Sequence, residues 1–176
     1  MAVLQDIDEV LRAHQAIRQP GPGAPQIING ARVGSSLLRS ATLLISAMLQ
    51  VSVEETFKAA LVEGFVHYSD EERERYWADA KQSSGNPNPQ NINRLFFRIG
   101  FNQVLDGLSW RKRANAEVLA VLDRINQVRN RVAHGQPITV DGNPYVLTRP
   151  IVNGWRNFGD QFCNRFHDHV LARYRD

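Results

Sequence analysis

Cysteine is almost absent from this chain of 176 residues, which contains only Cys163. A single cysteine cannot form an internal disulfide, so a reducing compartment is expected, and we predict a cytoplasmic protein. The first fourteen residues carry acidic side chains and lack the apolar segment of a signal peptide. The phenylalanines near Cys163 predict that its thiol lies in a core and is not a nucleophile.

Long uninterrupted apolar segments are lacking as well. The most apolar stretch, Ser36 to Val53, includes Arg39 and several hydroxyl groups, so it predicts a core helix and not a membrane span. Lysine is scarce, and arginine supplies almost all of the basic residues behind the net charge of +3 and the pI of about 9.3. This mild excess of positive charge favours a polyanionic partner such as RNA. No membrane partner is expected.

Helical periodicity dominates the rest of the sequence. Two segments rich in proline, glycine and asparagine, Gln19–Gln26 and Ser83–Asn91, predict loops. The apolar pattern predicts helices over Val3–Ile17, Asp70–Gln82, a short segment from Pro89, Ala116 to about Val132 and Trp155–Tyr174. It also predicts one long helix, or two in line, from Ala31 to about Tyr68. Asp141-Gly142 predicts a hairpin turn. We therefore expect one all-α domain over residues 1–176, a helical bundle with a small C-terminal hairpin and a final helix.

Capping signals predict where two of these helices begin and where one of them ends. Ser69 and Glu72 have the spacing of a capping box, and Asn115 is the predicted N-cap of the fifth helix. Gly135 is the predicted residue after the C-cap of that helix, because Pro137 prevents the helix from continuing.

The segment RNRVAHG, residues 129–135, forms the end of the fifth predicted helix. On a helical wheel Arg129 lies inside the arc of apolar side chains. Asn130 and His134 are four residues apart, so they are neighbours on the opposite side. The simplest interpretation is a basic last turn that complements the helix dipole, since an arginine five residues before a histidine is a common pattern.

An arginine within an apolar face needs a partner. Glu55 of the long second helix is the predicted partner, because it lies between Val51 and Ala59 on the face that we expect to be apolar. Alternatively, Arg129 serves a shared site. It points about 140° away from His134, so a two-fold dimer would bring such groups together more easily than one chain, unless the helix end unwinds.

The residues around RNRVAHG resemble the HEPN superfamily. The segment LDRINQVRNRVAHG is similar to the HEPN motif helix, in which an arginine, a polar residue and three variable residues precede a histidine. The segments NPNPQNINRLFFRIGFNQVLDGLSW and SLLRSATLLISAMLQVSVEETFKAALVEGF resemble the RiboL-PSP-HEPN branch. The resemblance covers roughly Leu37 to Gly135.

This resemblance implies a metal-independent endoribonuclease of a toxin–antitoxin, abortive-infection or other antiphage defence system, acting as a homodimer. Arg129, Asn130 and His134 would be the catalytic residues, with no cofactor and no metal. The 2′-hydroxyl of RNA would attack phosphorus, leaving 2′,3′-cyclic phosphate and 5′-hydroxyl ends. Histidine suits either the base or the acid of this reaction, and arginine suits the charge that develops on phosphorus.

One position departs from the related toxins. In those paired with a nucleotidyltransferase antitoxin, a tyrosine two residues after the motif histidine is modified, whereas this chain has Gln136 there. Control by modification at that position is therefore not expected, although an antitoxin or sensor protein remains a possible partner. Some HEPN domains are not catalytic, so the alternative function is a dimer that binds RNA, a nucleotide or a protein. An antitoxin-like or immunity protein is a third hypothesis.

Two further clusters carry charge or metal-ligand atoms. Arg111, Lys112 and Arg113 follow a tryptophan and predict phosphate binding, together with two arginines at the flanks of the apolar arc, Arg124 and Arg131. A solvated loop is the equally weighted alternative for the first three. His167 and His169 diverge on a predicted helix, so a metal site is not expected there.

Overall fold

A computed structural model describes residues 2–17, 27–28, 31–82 and 84–174 of the chain. The described helices are α1 (Ala2–Ala16), α2 (Ser35–Gly64), α3 (Asp70–Gln82), α4 (Pro89–Phe97), α5 (Asn115–Ala133) and α6 (Arg149–Ala172). Strands β1 (Ile27–Ile28) and β2 (Ala31–Arg32) form one antiparallel hairpin, and β3 (Thr139–Val140) and β4 (Asn143–Pro144) form another. The predicted all-α class is confirmed, with the second hairpin around Asp141-Gly142 as expected. The predicted loop Gln19–Gln26 lies outside the described residues.

The chain divides into two compact units. The first comprises Met1–Met48 and Gln127–Asp160, and the second comprises Leu49–Asn126 and Gln161–Asp176. Helices α2, α5 and α6 each contribute residues to both units. The expectation of one domain over residues 1–176 stays a prediction.

In the first unit, α1 is tied to the beginning of α6. The Arg156 guanidinium donates from Nε and Nη2 to the two carboxylate oxygens of Asp8, at 2.9 and 2.7 Å. This bidentate hydrogen bonding raises the pKa of Arg156. Nearer the start of α6, Tyr145 of the loop after the second hairpin stacks on Trp155, with ring centroids 6.4 Å apart. The hairpin and α6 therefore share an aromatic contact.

In the second unit, aromatic rings form the centre of the core. Phe96 packs edge-on against Phe57 and Phe166, with centroid distances of 5.4 and 5.3 Å, and Phe57 also contacts Trp77 at 5.6 Å. Cys163 is buried, as the sequence predicts. This cluster contains side chains of α2, α3, α4 and α6, so four helices share one aromatic core.

The apolar face predicted for α2 is wrong in its C-terminal half. Val51, which we placed on the apolar face, is exposed, whereas Phe57 and Leu61 are buried. The helix is apolar on most sides and buries small hydroxyl residues, so periodicity alone could not select the face. By length and composition, α2 is the one described helix that could cross a membrane, but half of its most apolar window is buried, as in a core helix.

The capping signals are mostly confirmed. The Ser69 N–H donates to Glu72 Oε2 at 2.7 Å, and these hydrogen bonds hold the pKa of Glu72 below its ordinary value. Asn115 is not an N-cap, because its side-chain amide donates to the carbonyls of Leu105 and Leu108. Ala114 precedes the helix instead, and its N–H donates to Glu117 Oε2 at 2.9 Å.

Helix α6 begins at Arg149, six residues before the predicted Trp155. The early start is compatible with Pro150, because a proline in the first turn of a helix lacks only an N–H that would have no helical partner.

Candidate functional site

The C-terminal end of α5 has the geometry that the sequence predicts. Gly135 has φ +63°, its N–H donates to Val132 O, and the N–H of Gln136 donates to Arg131 O at 2.9 Å. This pair of hydrogen bonds is a Schellman motif, which ends a helix with a glycine in the left-handed region. His134 is therefore the C-cap residue of α5, and its side chain is exposed where the helix ends.

Asn130 and His134 line one pocket beside this helix end. The pocket has a volume of 260 Å³ and is lined by Gln127, Asn130, Arg131, His134, Gln136, Thr139 and Gly142. We call it the motif pocket. An imidazole, an amide and a guanidinium are thus present at one opening to solvent. The predicted neighbourhood of Asn130 and His134 is confirmed.

Arg129 is placed differently from the other two motif residues. The described residues that line the motif pocket do not include Arg129, whose side chain is half-buried. Its Nη1 donates to Asn130 Oδ1 at 3.3 Å. Arg129 therefore reaches the pocket of its own chain through the Asn130 amide and not by facing it directly.

The hairpin after α5 is bonded to the motif helix. Gln127 Nε2 donates to Asp141 Oδ1, and the Asp141 N–H donates to Gln127 Oε1, both at 2.9 Å. Asp141 and Gly142 have φ values of +50° and +78°, as a two-residue type I′ turn requires. This reciprocal pair fixes the turn against α5 at one side of the motif pocket.

Three residues that line the motif pocket had no predicted role there: Gln127, Gln136 and Thr139. Gln136 Oε1 accepts a hydrogen bond from Arg131 Nη1 at 2.8 Å. The short spacing between the end of α5 and the Asp-Gly turn could have predicted their place in the pocket. A chain that reverses so soon after a helix must return along the last turns of that helix.

The predicted RNA-binding cations fall in two groups. Arg131 is exposed in the first unit, at the motif pocket. Arg111, Lys112, Arg113 and Arg124 belong to the second unit, and all but the half-buried Arg113 are exposed. Trp110 and Arg113 exchange backbone hydrogen bonds of 3.1 and 2.8 Å, so the basic residues occupy a tight turn. Contact of these residues with RNA stays a prediction.

Glu55 does not have the environment that we expected. It lies on an exposed side of α2 and not on a buried apolar face. The reason is the misassigned face of α2 described above. The pairing of Glu55 with Arg129 was predicted because Glu55 was expected on an apolar face. That reason no longer holds, and the pairing stays a prediction.

One of the two histidines near the C-terminus, His169, contacts a backbone carbonyl. His169 Nε2 lies 3.0 Å from the carbonyl oxygen of Val104, and burial lowers the pKa of His169, with Arg173 adding to this effect. Among the described residues, no three His, Cys, Asp or Glu side chains are grouped as metal ligands. The absence of a metal from the reaction stays a prediction.

The family comparison covers almost the whole chain. The RiboL-PSP-HEPN family model matches residues 3–172. The chain belongs to the RiboL-PSP-HEPN family. This HEPN domain extends beyond Leu37–Gly135, the segment over which the resemblance was predicted, and it includes α1 and α6. No curated protein and no solved structure matches the chain. HEPN domains are often ribonucleases, so the family indicates an RNA-related function.

Proposed function

We propose that this HEPN domain is a metal-independent endoribonuclease with Arg129, Asn130 and His134 as its catalytic residues. The observation that carries the proposal is the motif pocket, where His134 and Asn130 face the same opening at a basic helix end. Arg129 supports it through the hydrogen bond to Asn130. Imidazole and guanidinium groups at one opening suit a reaction that moves protons around a phosphate.

The reaction needs one proton removed and one supplied. The 2′-oxygen of the substrate attacks the adjacent phosphorus and loses its proton to a base, and the bond from phosphorus to the 5′-oxygen breaks. The leaving 5′-oxygen takes up a proton, which gives 2′,3′-cyclic phosphate and 5′-hydroxyl ends. His134 takes one of these two proton-transfer roles. Arg129 stabilises the negative charge that develops on the phosphoryl oxygens, and Asn130 orients the imidazole or the phosphate.

A homodimer is part of the proposal. Because Arg129 does not line the motif pocket of its own chain, a second copy related by a two-fold axis would bring its Arg129 guanidinium to that pocket. The motif helices of the two copies would then lie side by side. In the cell such an enzyme would act as a toxin or as an antiphage or abortive-infection effector, held inactive by an antitoxin or sensor protein.

The test is RNA cleavage by the purified chain in the presence of EDTA. We expect wild type to cut single-stranded RNA and His134→Ala to leave it intact. His67→Ala is the matched control, because His67 is an exposed histidine that is not part of the motif. The 5′ ends of the products should accept phosphate from polynucleotide kinase without prior dephosphorylation. Equal survival of RNA with wild type and His134→Ala would refute catalysis, and loss of wild-type cleavage in EDTA would refute metal independence.

The alternative function is a non-catalytic HEPN dimer that binds RNA, a nucleotide or a protein partner. The hydrogen bond between Arg129 and Asn130 favours it, because a guanidinium held by a neighbouring amide can be a structural brace. In that case wild type and His134→Ala would bind RNA or another ligand equally well, and neither would cut RNA.

A further inference from the structure

Helix α4 carries an exposed aromatic side chain on its polar face. Ile92, Leu95 and Phe96 are buried, and Phe96 belongs to the aromatic core of the second unit. The opposite face consists of Gln90, Asn93, Arg94 and Phe97, at the spacing i, i+3, i+4 and i+7 that places side chains in one row. Phe97 is 62% exposed. A large aromatic ring is therefore presented to solvent beside two amides and a guanidinium.

The residues that follow α4 form a pocket together with this face. Gly100, with φ +94°, lies in the turn after α4, and Asn102 and Gln103 follow it. These two residues and the α4 row line a volume of 410 Å³. We call it the Phe97 pocket.

Hydrogen bonds hold one wall of the Phe97 pocket in place. Asn93 Nδ2 donates to Gln103 Oε1 at 2.5 Å, and the backbone N–H of Leu105 donates to Asn93 Oδ1 at 3.2 Å. The orientation of both amides is therefore defined before any ligand binds. Because Gln103 accepts with its oxygen, its amide nitrogen is available to donate to a ligand.

The chemistry of the lining selects a class of ligand. An exposed aromatic ring offers a flat face for stacking, and side-chain amides both donate to and accept from polar ring edges. The described lining residues include Arg94 and no carboxylate, which favours a ligand with a negative charge beside its ring. A purely apolar ligand fits poorly, because it would cover the amides without replacing their hydrogen bonds to water.

We propose that the Phe97 pocket binds an unpaired base of single-stranded RNA. Phe97 stacks on the base, the amides of Gln90, Asn102 and Gln103 contact its edge, and Arg94 lies near the adjoining phosphate. A base within a duplex is already stacked and paired, so this pocket selects single strands. The proposal rests on the proposed function for the choice of RNA as ligand, but it does not require that this chain cleaves RNA.

The test is binding of a fluorescein-labelled single-stranded RNA of mixed sequence, measured by fluorescence anisotropy. All variants carry His134→Ala and the buffer contains EDTA, so that cleavage does not interfere. We expect Phe97→Ala to raise the Kd for single-stranded RNA about tenfold, the order expected for one lost base stack. Phe97→Trp should keep the parent affinity because it retains a stacking face. Val146→Ala removes another exposed apolar side chain and should change nothing.

Three results would contradict the proposal. The proposal fails if Phe97→Ala changes the Kd for single-stranded RNA less than twofold, or weakens single-stranded and duplex RNA equally. It also fails if Phe97→Ala leaves RNA binding intact but lowers the mass measured by light scattering, since Phe97 would then contact a second copy. Thermal unfolding of Phe97→Ala should match the parent, because the lost ring is mostly exposed.

The experiment separates this proposal from the proposed function. If wild type does not cut RNA but its binding of single strands depends on Phe97, the enzyme hypothesis fails and the Phe97 pocket stands. If wild type cuts RNA and Phe97→Ala binds and cuts RNA as well as wild type, the enzyme hypothesis stands and the proposal for the Phe97 pocket fails.

Discussion

The motif pocket and the Phe97 pocket are both open to solvent and lined mainly by residues with polar side chains, but they differ in the chemistry they offer. The motif pocket contains His134 and Arg131 at the end of a helix. The Phe97 pocket contains an aromatic ring, amides and one arginine, with no histidine or carboxylate among its described lining residues. Proton transfer needs a titratable group, whereas base recognition needs a flat face and hydrogen-bonding edges. We therefore expect proton transfer in the motif pocket and base binding in the Phe97 pocket.

The largest expected effect is a reciprocal loss in the two pockets. His134→Ala should lower the cleavage rate by about 10²–10⁴-fold, the usual contribution of an acid–base group, and leave the affinity for single-stranded RNA unchanged. Phe97→Ala should weaken RNA binding and leave the single-turnover rate at saturating RNA close to wild type. Rapid-quench kinetics with labelled RNA measures both. If either variant affects binding and chemistry equally, the division of roles between the pockets is wrong.

A glycine substitution at the helix end should damage the motif pocket alone. Gly135→Ala places a Cβ in the left-handed region, which costs about 1–2 kcal/mol and disturbs the position of His134 next to it. We expect a lower free energy of unfolding and a lower cleavage rate, with RNA binding at the Phe97 pocket retained. Urea unfolding and cleavage assays are the measurements.

Gly154→Ala in α6 is the matched control for Gly135→Ala. Nothing lies within 4 Å of a Cβ added at this helical glycine. The substitution should stabilise the protein by about 0.5–1 kcal/mol, because alanine is a better helix former than glycine. If both alanines stabilised the protein, the left-handed cap would not matter in solution.

A smaller effect is expected when the hydrogen bonds between the hairpin and α5 are weakened. Asp141→Ala removes the acceptor of Gln127 Nε2, so the wall of the motif pocket should loosen. We expect about 1 kcal/mol less stability and a severalfold slower cleavage. Asp141→Asn keeps an acceptor oxygen and tolerates the φ of +50°, so it should resemble wild type. Slow cleavage by both variants would point to the carboxylate charge and not to the hydrogen bond.

The smallest effect concerns the pH dependence of stability. Burial lowers the pKa of His169 below the ordinary value of 6.5, so the unfolded chain binds a proton more readily than the folded one. The contribution of neutral, buried His169 to the free energy of unfolding is complete above pH 6.5. It is lost as the pH falls from there through the lowered pKa of the folded state. Melting temperatures between pH 7.5 and 5.5 should therefore decline less steeply in His169→Gln than in wild type. His67→Gln, at an exposed position, should keep the wild-type slope.

This measurement also sharpens the comparison of the pockets. A fall in cleavage at low pH could reflect proton transfer in the motif pocket or loss of folded protein through His169. Rates measured on His169→Gln separate the two causes, because that variant retains the motif pocket and lacks the buried imidazole.

Local signals explain what the sequence could predict. The glycine after α5, the Ser69–Glu72 capping box and the Asp-Gly turn act over a few residues, and the structure contains all three. Asn130 and His134 are neighbours for the same reason, since helical spacing alone brings them together. Arg129 was predicted to need a partner, and its Nη1 donates to the next residue, Asn130.

Features that depend on distant residues were not predictable in this way. The buried face of α2 is set by the helices around it, and a helix apolar on most sides gives no periodic signal. Asn115 fits an N-cap by residue type, yet its amide bonds to carbonyls seven and ten residues earlier. The Phe97 pocket forms only when the turn at Gly100 returns Asn102 and Gln103 to α4.

Helix α5 also constrains how members of this lineage can change. It is uninterrupted from Asn115 to Ala133, with Val118, Leu122 and Val128 buried and Asn130 at the motif pocket. Each residue advances the helix by about 100°, so a single insertion between Leu122 and Val128 would turn the motif away from its pocket or pull core side chains into water. Insertions and deletions should therefore be rare within this helix.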